Sequence, residues 1–85
     1  MRHFTSPDFW HAFEELPLEA QKLARENYAL LKQNPRHPSL HMKKAQGYWS
    51  VRVGRGYRAL GKDVDGGILW GWIGRHDEYI RILSG

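Results

Sequence analysis

The chain has 85 residues, a length that suits one domain spanning residues 1–85. It contains no cysteine, which excludes disulfide bonds and thiolate metal sites. No apolar stretch approaches the roughly 20 residues needed to cross a membrane, and the first residues lack the apolar segment of a signal peptide, so we expect a soluble, cytoplasmic protein.

Positive charge is concentrated in the second part of the chain. Residues 1–34 carry four basic and five acidic side chains, whereas residues 35–85 carry nine basic and four acidic ones. Between Arg36 and Lys62 there are seven basic residues and no acidic one. Such a one-sided field favours binding to a polyanion, RNA or DNA, although a basic surface can also serve solubility alone.

Two helices are predicted in the first part of the chain, after a short strand at His3–Ser6. Ser6-Pro7 is a helix start, because serine is a good N-cap and proline is favoured at the first helical position. This helix is expected to end near Leu16, ahead of Pro17. Pro17 also opens the second helix, which the Asn34-Pro35 pair stops, so the two helices should form a hairpin.

From Pro38 onward the apolar pattern changes to a period of two, which is typical of half-buried strands. The three strands that it predicts are Tyr48–Val53, Tyr57–Lys62 and Ile68–Ile73. Tight turns at Gly54–Gly56 and Asp65–Gly67 should join them, and Gly71 inside the third strand suggests a bulge or a close packing contact. Residues 77–83 are predicted to form a short tail.

The element order β-α-α-β-β-β predicts an α+β fold, with the two-helix hairpin packed on one face of a small antiparallel sheet. The opposite face should then be free for a ligand or a partner. Trp70 and Trp72 are expected on the same face because alternate strand residues point the same way. They either pack in the core under the helices or stack on nucleic-acid bases.

The stretch from Leu40 to Leu83 resembles the RelE/ParE toxin superfamily. The residues that carry this resemblance are Leu40, Lys43-Lys44, Gly47–Val53, Gly56-Tyr57-Arg58 and Ile73–Tyr79, with Leu16-Pro17 and Asn34-Pro35 upstream at the usual spacing. The ordered set is specific, whereas no one motif is. The resemblance implies a RelE-like fold and a toxin of a type II toxin–antitoxin pair.

Two activities are implied by this resemblance. RelE-like members are endoribonucleases that cut mRNA in the ribosomal A site, using the ribose 2′-OH as nucleophile, whereas ParE-like members poison DNA gyrase without cutting. Both are silenced by a cognate antitoxin that wraps the toxin. We expect a ribosome-dependent mRNA nuclease here, with a gyrase poison as the alternative. The sequence contains no glycine-rich phosphate loop and no metal-ligand spacing, so no cofactor or metal is expected.

Arg58, His76 and Tyr79 are the first candidate catalytic residues, by resemblance to the nucleases. Arg58 would contact the scissile phosphate, because a forked guanidinium can bind two phosphate oxygens. His76 would protonate the leaving oxygen, since imidazole transfers protons near neutral pH. Tyr79 would stack on or orient the substrate. Each also has a purely structural interpretation: a surface arginine, an exposed histidine, and a tyrosine that packs the tail onto the sheet.

Arg52 is a further catalytic candidate, because it lies across the predicted hairpin from Arg58. Relatives often have a lysine in this region that is proposed as the base, and Arg52 departs from that pattern. A guanidinium binds phosphate but is essentially never deprotonated, so the general base is left open, with His41 or His37 as replacements. The candidate RNA-binding residues are Lys43, Lys44, His41 and Ser50.

Overall fold

The computed structural model describes residues 2–84. Its elements in chain order are β1 (Arg2–Thr5), α1 (Pro7–Glu14), α2 (Leu18–Gln33), β2 (Lys43–Ala45), β3 (Tyr48–Val53), β4 (Tyr57–Val64), β5 (Gly67–Arg75) and α3 (His76–Ser84). One turn of 3₁₀ helix, Pro38–Leu40, joins α2 to β2. The strand β2 is short and lysine-containing, and the sequence pattern did not predict it.

The ends of α1 and α2 follow from the local sequence. Ser6 is the N-cap of α1, and its Oγ accepts a hydrogen bond of 3.2 Å from the backbone N–H of Phe9. Pro7 takes the first helical position, as predicted. The helix α1 ends at Glu14, two residues before the predicted end, and α2 ends at Gln33, directly before the Asn34-Pro35 stop.

The sheet has the strand order β1-β5-β4-β3-β2. The strands β2 to β5 form an antiparallel meander, as predicted for the last three of them. The strand β1 pairs with β5 in parallel, so the sheet is mixed rather than wholly antiparallel. The α+β class and the helical hairpin are confirmed.

The hydrophobic core lies between this hairpin and one face of the sheet. Phe9 and Phe13 of α1 and Leu31 of α2 are buried there. The buried core residues that the sheet supplies are Val51, Val53, Ala59, Ile68, Trp70 and Ile73. Their neighbours along the strands point to the opposite face, because strand side chains alternate. We call that opposite face the open face.

The tail predicted at residues 77–83 is a helix, α3, and it covers part of the open face. Tyr79 of α3 is 4% exposed and Ser50 of β3 is 2% exposed, and the Ser50 Oγ donates a hydrogen bond of 3.2 Å to the Tyr79 hydroxyl. The prediction of a wholly free face was therefore wrong. Asp77 and Glu78 lie in the first turn of α3, where acidic side chains favour a helix start.

Trp70 and Trp72 lie on opposite faces, contrary to the prediction. Trp70 pairs with Gly61 and Trp72 pairs with Leu60, so Gly71 between them has no partner on β4 and forms a bulge. Trp70 is consequently buried in the core, whereas Trp72 is half-buried and faces the open side. Its indole lies over Gly74, where a Cβ would collide with the ring.

His3 makes folding sensitive to acid. Its Nδ1 accepts a hydrogen bond of 3.1 Å from the Trp70 Nε1, so the folded state requires this nitrogen to be unprotonated. Burial lowers the pKa of His3 below its usual 6.5, and nearby positive charge, including that of Lys32, lowers it further. Below about pH 6.5 the His3 side chain is protonated in the unfolded chain but not in the folded one. The free energy of unfolding therefore decreases as the pH is lowered from about 6.5 to the lowered pKa of the folded state.

We expect the free energy of unfolding to fall between pH 7.5 and pH 5, a range roughly spanning the histidine reference pKa, by more in the wild type than in a His3→Asn variant. Asparagine can still accept the bond from Trp70 but does not titrate, so the variant removes only the proton linkage. Urea unfolding at both pH values measures the difference. An identical loss of stability in the two proteins would mean that His3 does not contribute.

Candidate nucleic-acid interface

Arg52 and Arg58 lie on the open face, one residue pair from the turn that closes the β3–β4 hairpin. They are directly paired across the β3–β4 hairpin, so their side chains lie side by side. Like charges directly opposite each other are destabilising in a sheet. Within residues 2–84 the one ion pair joins Lys44 to Asp63, so neither guanidinium is neutralised by a carboxylate. The pair is thus an uncompensated double positive charge, the kind of site that binds an anion such as phosphate.

Backbone carbonyl groups hold both guanidinium groups in place. The Arg58 Nη1 donates a hydrogen bond of 2.7 Å to the carbonyl of Tyr57, and the Arg52 Nε donates one of 3.1 Å to the carbonyl of Gly54. These bonds use only part of the donor set of each group, since a guanidinium has five N–H donors. The remaining donors are available to a phosphate.

The pKa of Arg58 reflects its crowding. Partial burial lowers the pKa of this guanidinium, and the positive charge of Arg52 lowers it further, while Tyr79 acts in the opposite direction. Arginine remains protonated at physiological pH despite such a shift. An anion bound between the two arginines would reduce their mutual repulsion. It would also accept hydrogen bonds from Arg58 in place of the water that partial burial excludes from this side chain.

His41 lies next to this arginine pair. The buried side chain of Leu40 anchors the 3₁₀ turn, and His41 follows it at φ 44°, in the left-handed region. A residue with a side chain adopts that conformation at a cost of about 1 kcal/mol or more. The Arg52 Nη1 approaches the His41 Nε2 to 3.4 Å. His37, the other candidate base, is instead bonded within its own turn to Ser39.

His76 and Tyr79 lie on the β5 side of the arginine pair. His76 is exposed at the start of α3, and its backbone N–H donates a bond of 2.8 Å to the carbonyl of Gly56. Its ring centroid is 5.7 Å from that of Tyr79. Gly74, which leads β5 towards His76, is paired with Arg58. Tyr79 is buried against Ser50 and holds α3 on the sheet. The side chains of Tyr79 and Ser50 are therefore inaccessible to a substrate in this conformation.

Lys43 and Lys44 point to different faces of the sheet. Lys43 is paired with Ser50, which places it on the open face with the two arginines. Lys44 is paired with Trp49 and binds Asp63 on the other face, with its Nζ 5.2 Å from the centroid of the Trp49 ring. The hydrogen bonds that Asp63 accepts from Lys44 and Trp49 lower the pKa of its carboxyl. Lys44 is therefore engaged away from the candidate interface.

The structure thus brings together five of the candidate residues and sets three apart. Those gathered on the accessible open face are His41, Lys43, Arg52, Arg58 and His76. Ser50 and Tyr79 lie beneath α3, and Lys44 lies on the opposite face. Of the two tryptophans considered for base stacking, only Trp72 lies on the open face, because the bulge at Gly71 puts it on the side opposite to Trp70.

A family model for the ParE-like toxin domain matches residues 19–81 of this sequence. The chain belongs to this ParE-like toxin domain family. The match covers all of α2 but its first residue, the whole antiparallel meander and most of α3. It therefore includes Arg52, Arg58 and the two flanking histidines, His41 and His76. The expected membership of the RelE/ParE superfamily is confirmed.

A solved structure shares the fold of this ParE-like domain. It is a chain of the crystal structure of the RelB–RelE antitoxin–toxin complex from Methanococcus jannaschii, which superposes with a TM-score of 0.72 over 93% of this chain and 96% of that chain. The two sequences are 14% identical, so the likeness shows the fold alone. No curated protein matches the sequence.

The part of the chain that the structure describes holds no group of three histidine or acidic side chains that could bind a metal ion. No helix within residues 2–84 is long and apolar enough to cross a membrane.

Proposed function

We propose that this ParE-like domain is the toxin of a toxin–antitoxin pair and that it cleaves mRNA on the ribosome at the Arg52–Arg58 pair. The observation that carries the proposal is this pair of un-neutralised guanidinium groups, directly opposed on the open face. Two guanidinium groups held side by side suit a pentavalent phosphate, because it accumulates negative charge on its oxygens.

His76 supports the chemistry on the β5 side of the pair. Attack of the ribose 2′-OH on the adjacent phosphate requires cations for the phosphate, a base for the hydroxyl and an acid for the leaving 5′-oxygen. Arg52 and Arg58 supply the cations. His76 is exposed at the end of β5 beside Arg58 and would supply the acid. The ribosome would hold the mRNA against this face, which is open rather than enclosed.

An antitoxin is the second partner that we propose. The structural neighbour from M. jannaschii was solved as an antitoxin–toxin complex, and the uncompensated positive charge on the open face suits an acidic segment. We expect such a segment to bury Arg58, and its affinity to fall as salt rises, because salt screens exposed charges. Isothermal titration of the cognate pair at low and high salt measures this. Affinity that does not change with salt would contradict the charged contact.

Gyrase poisoning is the alternative function, favoured by the description of the matching family model as ParE-like. The two functions differ in their cellular products. Induction of the toxin followed by primer extension on a reporter mRNA should give cuts within codons if the domain is a nuclease. DNA damage with intact mRNA would instead establish the gyrase poison and overturn the proposed cleavage.

A further inference from the structure

The open face carries a second histidine beside the arginines, and its position suggests a role that the proposed function leaves unfilled. Two residues other than glycine have a positive φ within residues 2–84, Gln46 and His41. Gln46 lies in the two-residue β2–β3 turn, where a positive φ is the normal requirement. His41 is the C-cap of the 3₁₀ turn, where a left-handed residue commonly ends a helix, and its backbone N–H donates to the carbonyl of Pro38. This backbone brings its imidazole to Arg52, with the Nε2 3.4 Å from the Arg52 Nη1.

We propose that His41 is the general base that removes the proton from the ribose 2′-OH. This inference rests on the proposed nuclease function and completes its catalytic set. Arginine can only donate, so the nitrogen that faces Arg52, Nε2, presents an unprotonated lone pair to it. When the Arg52 guanidinium turns to a phosphate oxygen, that lone pair is left facing the ribose hydroxyl of the same phosphodiester.

The placement of the two histidines suits an in-line displacement. His41 approaches the arginine pair from the β2 side, and His76 approaches it from the β5 side. The strands β2 and β5 are three strand spacings apart, roughly 14 Å. The His41 imidazole reaches inward from the β2 side to Arg52. With the His76 imidazole turned towards Arg58, a phosphate whose attacking and leaving oxygens each lie about 3 Å from their own histidine fits between them.

The proton and bond balance is complete with these groups. The His41 Nε2 takes the proton of the 2′-OH while the O2′–P bond forms. The P–O5′ bond breaks, and His76 in its protonated form gives its proton to the departing O5′. The products are a 2′,3′-cyclic phosphate and a free 5′-hydroxyl, and a later proton exchange with solvent restores both histidines. No oxidant, metal or further reactant is needed.

The other side chains near the arginine pair are less suited than His41 to act as the general base. Arg52 itself remains protonated. Lys43 of β2 shares the open face but pairs with Ser50, which lies two residues before Arg52 on β3. His37 at the start of the 3₁₀ turn accepts the N–H of Ser39 through Nδ1. His41 is therefore the histidine that contacts the phosphate-binding pair.

The test separates the base from the acid by changing the leaving group. Ribosome-bound mRNA is prepared with a single 5′-bridging sulfur at the bond that the wild type cuts, because a thiolate leaves without needing a proton. The variants are His41→Asn and His76→Asn, with His11→Asn on the exposed side of α1 as the matched control. Asparagine tolerates the left-handed region, so His41→Asn retains the native backbone.

On the normal substrate we expect both active-site variants to lose about 10²-fold or more in single-turnover rate, and the control to lose nothing. On the sulfur substrate His76→Asn should recover to within a few-fold of wild type, whereas His41→Asn should remain slow. His41→Asn should also lose the acidic limb of the pH–rate profile. A His41→Gly variant, which relieves the strain, should be equally slow although folded by circular dichroism.

Three results would overturn the inference, and they point to different errors. A folded His41→Asn variant that cuts at the wild-type rate removes His41 from the mechanism but leaves the nuclease intact. Recovery of His41→Asn on the sulfur substrate would make it the acid instead. A wild-type protein that cuts neither substrate on the ribosome overturns the proposed function itself, and the assignment with it.

Discussion

Replacing Arg58 by alanine should lower the single-turnover rate of mRNA cleavage by roughly 10²-fold or more, by analogy with the loss of an oxyanion donor. Arg58 is held beside Arg52 without a carboxylate partner, so its guanidinium is free to stabilise charge on the phosphate. Because arginine does not titrate near neutral pH, the loss should lower the whole pH–rate curve without changing its shape. Cleavage of ribosome-bound mRNA across roughly pH 5.5–8.5, centred near the histidine reference value, measures both features.

Two further variants sharpen the Arg58 experiment. Arg58→Lys keeps the charge but loses the fork that binds two oxygens, so it should recover only part of the rate. Arg2→Ala is the matched control, because Arg2 is an exposed arginine on the strand at the far edge of the sheet. If Arg58→Ala is folded and cuts as fast as the wild type, the nuclease proposal is wrong and gyrase poisoning becomes the better explanation.

Trp70→Ala should destabilise the fold by about 3–5 kcal/mol, the usual range for removing a buried tryptophan. Trp70 is 2% exposed, and its Nε1 donates to the His3 ring across the β1–β5 pair. The substitution leaves both a cavity and an unsatisfied imidazole. Urea unfolding followed by circular dichroism gives the difference in the free energy of unfolding.

Trp10→Ala is the matched control for this substitution. Trp10 is 42% exposed on α1, and its Nε1 bonds to the Thr5 hydroxyl near the surface. The same chemical change should therefore cost well under half as much there, because less apolar surface is lost from the core. Equal losses from the two variants would contradict the placement of Trp70 under the helices.

The sequence predicted elements best where a residue has one strong local preference. Ser6 and Pro7 define the start of α1 because a serine cap and a proline with fixed φ favour the same backbone. The Asn34-Pro35 pair likewise marks the end of α2. The turn at Gly54–Gly56 sets the register of β3 and β4, so the pairing of Arg52 with Arg58 could be predicted from the sequence alone.

The sequence failed where distant packing decides the outcome. The period of two placed Trp70 and Trp72 together, but the bulge at Gly71 reverses the second ring, and the size of a bulge depends on the neighbouring strand. The helix α3 was missed because its helical pattern spans only nine residues, too few for a helix that is stable by itself. Its stability comes from Tyr79 packing on Ser50, a contact between residues far apart in sequence.

The candidate site divides in the same way. Arg58 and His76 were predicted from ordered motifs, and the structure places both beside the open face. The approach of His41 to Arg52 depends on how the 3₁₀ turn is anchored by buried Leu40, a tertiary contact. The residue type at position 41 was visible in the sequence, but the left-handed backbone that aims it was not.

The parallel pairing of β1 with β5 also constrains how the chain folds during synthesis. Arg2 is paired with Gly67, about 65 residues later, so this contact closes about three quarters of the 85-residue sequence into one loop. Proteins rich in such distant contacts fold slowly. Since translation proceeds from the N-terminus, β1 has no strand to join until β5 has been made. Arg58 and Arg52 also gain their last neighbours, β5 and α3, at that point. A nascent chain on the ribosome therefore lacks the finished site until β5 and α3 have been made.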